Sequence, residues 1–141
     1  MTARDLTNNE GIGQVIETFA IDNSTITYSA TEEGGSAAVG LAVTLSAART
    51  VALAADADRV IGKLIAVEAD GTAAVITKGV VTLPGGSGAT LTLNLPIVGD
   101  LGAASAKGYI RVSDSAVAAE INKSRGFIED AGTATAVVVH L

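Results

Sequence analysis

Residues 60–83 read VIGKLIAVEADGTAAVITKGVVTL. Apolar residues dominate both halves, and the halves meet at Ala69-Asp70-Gly71. An Asp-Gly pair tolerates the positive φ of a tight turn, so the stretch reads as two antiparallel strands, 60–68 and 72–83, in one hairpin. Lys78-Gly79 interrupts the second strand as a bulge. Pro84-Gly85-Gly86-Ser87-Gly88 then stops it.

The same grammar runs outward in both directions. Toward the N-terminus, residues 39–45 (VGLAVTL) alternate, with Val39, Leu41, Val43 and Leu45 on one face. Residues 51–53 continue that strand after a short link, residues 25–28 form another, and Glu32 to Ser36 make a turn. Toward the C-terminus, residues 90–95 (TLTLNL) alternate again and 96–107 form a long loop. Residues 108–112 are a strand. Residues 113–122 hold at most a short helix, with Ser113 as its cap and Val117 and Ile121 four apart. Two last strands, 126–129 and 135–140, meet through Asp130-Ala131-Gly132. Eight or so short strands without a fixed repeat predict an all-β fold, a small β-barrel or β-sandwich. Residues 1–24 read as an extended N-terminal arm, and 25–141 as a single domain. The arm is polar apart from the island that contains Val15, Ile16 and Phe19.

Composition narrows the function classes. The chain has 141 residues and is 48% hydrophobic, but alanine supplies 26 positions and aromatics only four, Phe19, Tyr28, Tyr109 and Phe127. Alanine buries little area, which leaves room for stabilisation by self-association or a partner surface. The net charge is −6 and the nine Lys and Arg are scattered singly. No basic footprint for nucleic acid follows. Cysteine is absent, which removes disulfides and thiolate metal sites. With neither a leader-like apolar start nor a run of about 18 apolar residues, the expectation is a soluble product made in the cytoplasm, with no membrane partner.

Chemistry-bearing patterns are sparse. His140 is the one histidine and reads as a terminal strand residue. Gly85 to Thr90 lacks the Lys-Ser/Thr pair of a phosphate loop and leads into a strand-like segment. Gly11-Ile12-Gly13 begins a dinucleotide fingerprint, but Ile16 stands where the third glycine belongs. The acid pairs Glu32/Glu33, Asp56/Asp58 and Glu129/Asp130 fit no calcium-loop spacing and read as solvated turn charge. The expectation is therefore a non-enzyme with no catalytic residue, metal, cofactor or small-molecule substrate, whose stability is indifferent to added metal, nucleotide or DNA. A ligand- or carbohydrate-binding β-sandwich is the alternative, and the scarcity of aromatic platforms counts against it.

Three stretches carry a resemblance: residues 59–84 (RVIGKLIAVEADGTAAVITKGVVTLP), 38–43 (AVGLAV), and the tail from SRGFIED at 124–130 to AVVV at 136–139. Together, over roughly 38–141, the chain resembles the small Ala/Gly/Val-rich head decoration, or capsid cement, proteins of tailed bacteriophages. That resemblance implies a β-barrel or β-tulip core, a homotrimer, the major capsid protein as partner, and a place on the outer capsid surface of the virion. It also implies stabilisation of the shell against internal DNA pressure. Another virion protein, such as a tail component, is the neighbouring reading. The arm is then expected to fasten the protein to the capsid or to a neighbouring subunit through Val15, Ile16 and Phe19, by adding itself to a sheet edge. On that view, deletion of residues 1–20 spares the fold and loses head binding.

Overall fold

A computed structural model describes residues 13–133 and 135–141 of the chain. It confirms the all-β expectation in its barrel form. The described strands are β1 (Val15–Ile21), β2 (Ala42–Ala47), β3 (Thr50–Leu53), β4 (Gly62–Val67), β5 (Thr72–Lys78), β6 (Val80–Leu83), β7 (Ile97–Asp100), β8 (Tyr109–Val112), β9 (Phe127–Thr133) and β10 (Ala136–His140). One short helix, α1, covers Ala118–Lys123. Strands β1, β3, β2, β4 and β5 close into a barrel in that order. A three-stranded sheet, β6-β10-β9, and a two-stranded one, β7-β8, lie beside it.

The hairpin expected over residues 60–83 forms as β4–β5 and continues into β6. Its turn is built as Asp-Gly chemistry requires: Gly71 has φ +84, its N–H donates to the Glu68 carbonyl at 3.0 Å, and the Asp70 Oδ1 accepts from the Thr72 N–H and hydroxyl at 3.1 and 2.7 Å. A register shift between Leu64 and Ala66 changes which alternate residues point inward, so Leu64 and Val67 are both buried.

Gly79 does more than bulge a strand. β5 ends at Lys78 in the barrel, and β6 starts at Val80 in the second sheet. Gly79 is the joint, at a φ of +111 that a side chain would resist. Its N–H and C=O exchange hydrogen bonds with Leu141.

Two cores result. The barrel lumen holds Phe19, Ile21, Ile26, Val43, Val51, Leu64, Val67 and Val75. The second core lies between the barrel wall and the other two sheets, where Ala42, Val60 and Ile76 meet Leu83, Ile97, Ile110, Ile128, Val137 and Val139. A buried Leu, Ile or Val contributes about 1.5–3 kcal/mol. The alanines at the seam contribute less, but they let the layers approach.

Several expectations need correction. Residues 1–12 lie outside the described residues, but the rest of the expected arm is not an arm. β1 pairs antiparallel with β5 from Val15↔Lys78 to Ala20↔Thr72 and parallel with β3 at Ala20↔Thr50 and Ile21↔Val51. The barrel closes through β1, so the domain starts at or before Val15 and not at residue 25. Residues 25–28 are not a strand. The Asp22 carboxylate accepts from the backbone N–H of Ser24, Thr25 and Ile26 and from the Thr25 hydroxyl, and such local bonds compete with a ladder. Burial would raise the Asp22 pKa, but these bonds outweigh it and hold it below the ordinary aspartate value.

The alternating segment 90–95 is irregular, with Asn94 at φ +67. The strand lies just beyond it, as β7, inside the stretch expected to be a loop. Leu45 is exposed although it alternates with buried Val43. α1 starts five residues later than its expected span, and the position before it is Val117, without a side-chain cap. Ser113 instead donates its N–H to the Pro96 carbonyl. Glu129 and Asp130 sit on β9 and not in a turn.

Candidate interaction face and ion-pair clasp

The three anchor residues read from the sequence divide. Phe19 is buried in the barrel lumen, its ring under the Arg49 guanidinium at 5.5 Å. Val15 and Ile16 remain 46% and 56% exposed at the start of the same strand. Val15 lines a shallow groove with Leu45, itself 51% exposed, and with Ile61, Glu17, Lys78 and Arg125. Among the described residues, β3 accompanies β1 only at Ala20 and Ile21. At Thr18 the Arg49 side chain supplies the missing donor, reaching the carbonyl at 2.8 Å.

Arg125 also lines that groove. It lies just after α1 and is tied to β7 by reciprocal backbone bonds with Ile97. Its guanidinium reaches across the seam to the Ile61 carbonyl at 2.8 Å and to the Thr77 carbonyl. Burial, and then the nearby Arg59, lower its pKa, while Glu17 acts the other way.

A second polar constellation lies elsewhere, with no signature in the sequence. Arg111 on β8 makes a two-pronged pair with Glu120 of α1, both contacts at 2.8 Å. The same guanidinium lies 3.0 Å from Asp56 and 3.9 Å from Asp100. Glu120 also accepts the Asp114 N–H at 2.8 Å. Arg111, Glu120, Asp100 and Asp114 line a polar cleft beside Ser87–Thr90 of the Gly-rich segment. That segment packs along β7 and β8: Gly86 donates to the Ile110 carbonyl and Ser87 to the Leu101 carbonyl. Arg111 is engaged by carboxylates on several sides, so its chemical role is a clasp that pins the 113–124 excursion to β8.

Electrostatics agree with the geometry. The Arg111 hydrogen bonds, aided by the Asp114 N–H, hold the Glu120 carboxyl down at about 2, against burial, which would raise it. The same pair, with Asp56, raises the Arg111 pKa. A carboxylate whose folded pKa lies below its unfolded one stabilises the fold above the unfolded value, near 4.5, and that stability is lost as pH falls toward the folded value. Glu120→Gln is therefore expected to cost about 2 kcal/mol at pH 7, less than a fully buried pair because the cleft is open to water. In urea titrations the gap between parent and variant should shrink below about pH 5 and close near pH 2. A gap that stays constant with pH would show that charge is not what the clasp supplies.

The other sequence candidates are dispersed. His140 is exposed on β10 and stacks on Phe127, ring centroids 5.1 Å apart. Asp58 accepts the Ala55 N–H within its own loop, while its expected partner Asp56 turns to Arg111. Among the described residues, no three His, Cys, Asp or Glu side chains come together as metal ligands, and no helix is long and apolar enough to cross a membrane. No protein-family model matches the chain, and neither a curated protein nor a solved structure matches it.

Proposed function

We propose that this chain is a structural virion protein that decorates and stabilises the outer surface of a tailed-phage head, binding the major capsid protein as a homotrimer. The observation that carries the reading is the exposed apolar face at the mouth of a small rigid barrel. Val15 and Leu45 stand open to solvent there, and Ile16, next to Val15 on the same strand, is exposed as well. Exposed apolar surface of that kind, rimmed by charge, marks a contact with another protein. The resemblance over residues 38–141 supplies the identity of that contact, a capsid or neighbouring-subunit surface. The acidic balance, −6 overall, suits a protein that coats a particle without capturing nucleic acid.

The direct test uses heads of the encoding phage assembled without this protein. The purified chain should co-sediment with expanded heads to saturation, bind in clusters of three, and raise the temperature at which the heads rupture. Heads that pellet without it at saturating concentration would end the proposal.

A further inference from the structure

Two ends of the barrel carry opposite charge. At the end where β5 finishes, the groove has an apolar wall of Val15, Leu45 and Ile61 with Lys78 and Arg125 set into it. Arg125 spends N–H groups on two backbone carbonyls. Among the described residues neither cation has a carboxylate within 4.0 Å, and Glu17 of the same groove acts on Arg125 only at longer range. At the end where β5 begins, Glu32, Glu33, Glu68 and Asp70 are all exposed, and none is in an ion pair among the described residues. Tyr28 stands at this end. It is 43% exposed, and it flanks Gly35, whose missing side chain lets that turn pack on the Val67 carbonyl.

The seven residues of β5 separate the two ends by about 20 Å. A chain cannot place its own Tyr28 in its own groove, but a second copy can. We propose that the groove receives the acidic, Tyr28-bearing barrel end of another copy of this chain. Tyr28 would lie against Val15, Leu45 and Ile61, and Glu32 and Glu33 would meet Lys78 and Arg125. An exposed tyrosine entering an apolar groove ringed by complementary charge is the usual anchor of such contacts. The joint is heterologous, because two different surfaces meet, so repetition of it generates a ring when the rotation closes. This names the neighbour for the exposed face and does not depend on the decoration reading. A chain that assembles this way but ignores phage heads would sink only that reading.

Cross-linking gives the test, since the chain has no cysteine of its own. Under mild oxidation, the double variant Val15→Cys/Tyr28→Cys should form disulfide-linked multimers, and either single variant should not. Adding Lys78→Glu should lower the yield at least about tenfold, and adding Glu33→Lys to that should restore it. Salt at about 1 M should suppress the link, because screening there acts within ~3 Å. Circular dichroism confirms folding of each variant. If Tyr28→Cys does not fold, Glu33→Cys takes its place opposite Val15→Cys, and Glu32→Lys then serves as the restoring change. A double variant that links no better than the singles, or a yield indifferent to Lys78→Glu, overturns the proposal.

Discussion

A chain lacking residues 1–20 is expected not to fold. The cut removes all of β1 except Ile21, and β1 is the strand that joins β3 to β5. Phe19 leaves the lumen, and each inward side chain of this size is worth about 1.5–3 kcal/mol. The β5 main-chain groups that faced β1 lose their partners, each at about 1 kcal/mol or more. Against a total stability of about 5–15 kcal/mol, that sum decides the outcome. Far-ultraviolet circular dichroism and urea titration should show no cooperative transition. The milder Phe19→Ala should keep a transition but lower it by about 3 kcal/mol. A truncated chain that melts like its parent would mean that the barrel closes without β1. That is the outcome expected of a detachable arm.

Gly62→Ala should be nearly as damaging. A glycine inside a strand would ordinarily gain about 0.4–1 kcal/mol on becoming alanine, because the unfolded chain loses freedom. Here the added methyl would run into the Ile76 carbonyl oxygen across the β4–β5 pair and lie 2.8 Å from Cγ1 of Val75. The obstacle is backbone, so it cannot swing aside without parting the ladder. The clash outweighs the entropy, and a net loss above about 3 kcal/mol is expected. A chemical-denaturation midpoint equal to or above the parent's would show that β4 and β5 have slack that their packing does not reveal.

These two cases mark what the sequence discloses. The β4–β5 hairpin was legible because all its determinants are local: an Asp-Gly turn between two β-rich runs. β8 and β10 were legible for similar reasons. β1 was not, because its role is settled by pairing with strands far along the chain, and nothing within residues 15–21 announces a partner. Residues 90–95 misled in the opposite sense. Their Thr/Leu alternation satisfies the pattern, yet Leu93 and Leu95 end up exposed, since a period of two has no meaning without a neighbouring strand. Of the candidate contact residues, Val15 and Ile16 were found as exposed apolar groups on the expected segment, whereas Phe19 was misread for want of the lumen it fills. Arg111 and Glu120 were invisible: the clasp draws on four separate stretches of chain, and no spacing rule connects them.

The placement of β10 has a consequence for synthesis. All five barrel strands lie between Val15 and Lys78, so the barrel can assemble while the rest of the chain is still being made. The second sheet cannot. β10 is its central strand, flanked by β6 and β9, and it emerges from the ribosome after both. Until residues 136–140 appear, β6 and β9 have no common partner, and the outer wall of the finished barrel, with Val60 and Ile76, stays wet. Nascent chains stalled before that point present sticky apolar surface beside two unpaired strand edges, the situation in which chains misassociate. The translated product thus passes through a hazardous interval that ends only when residues 136–140 of β10 arrive.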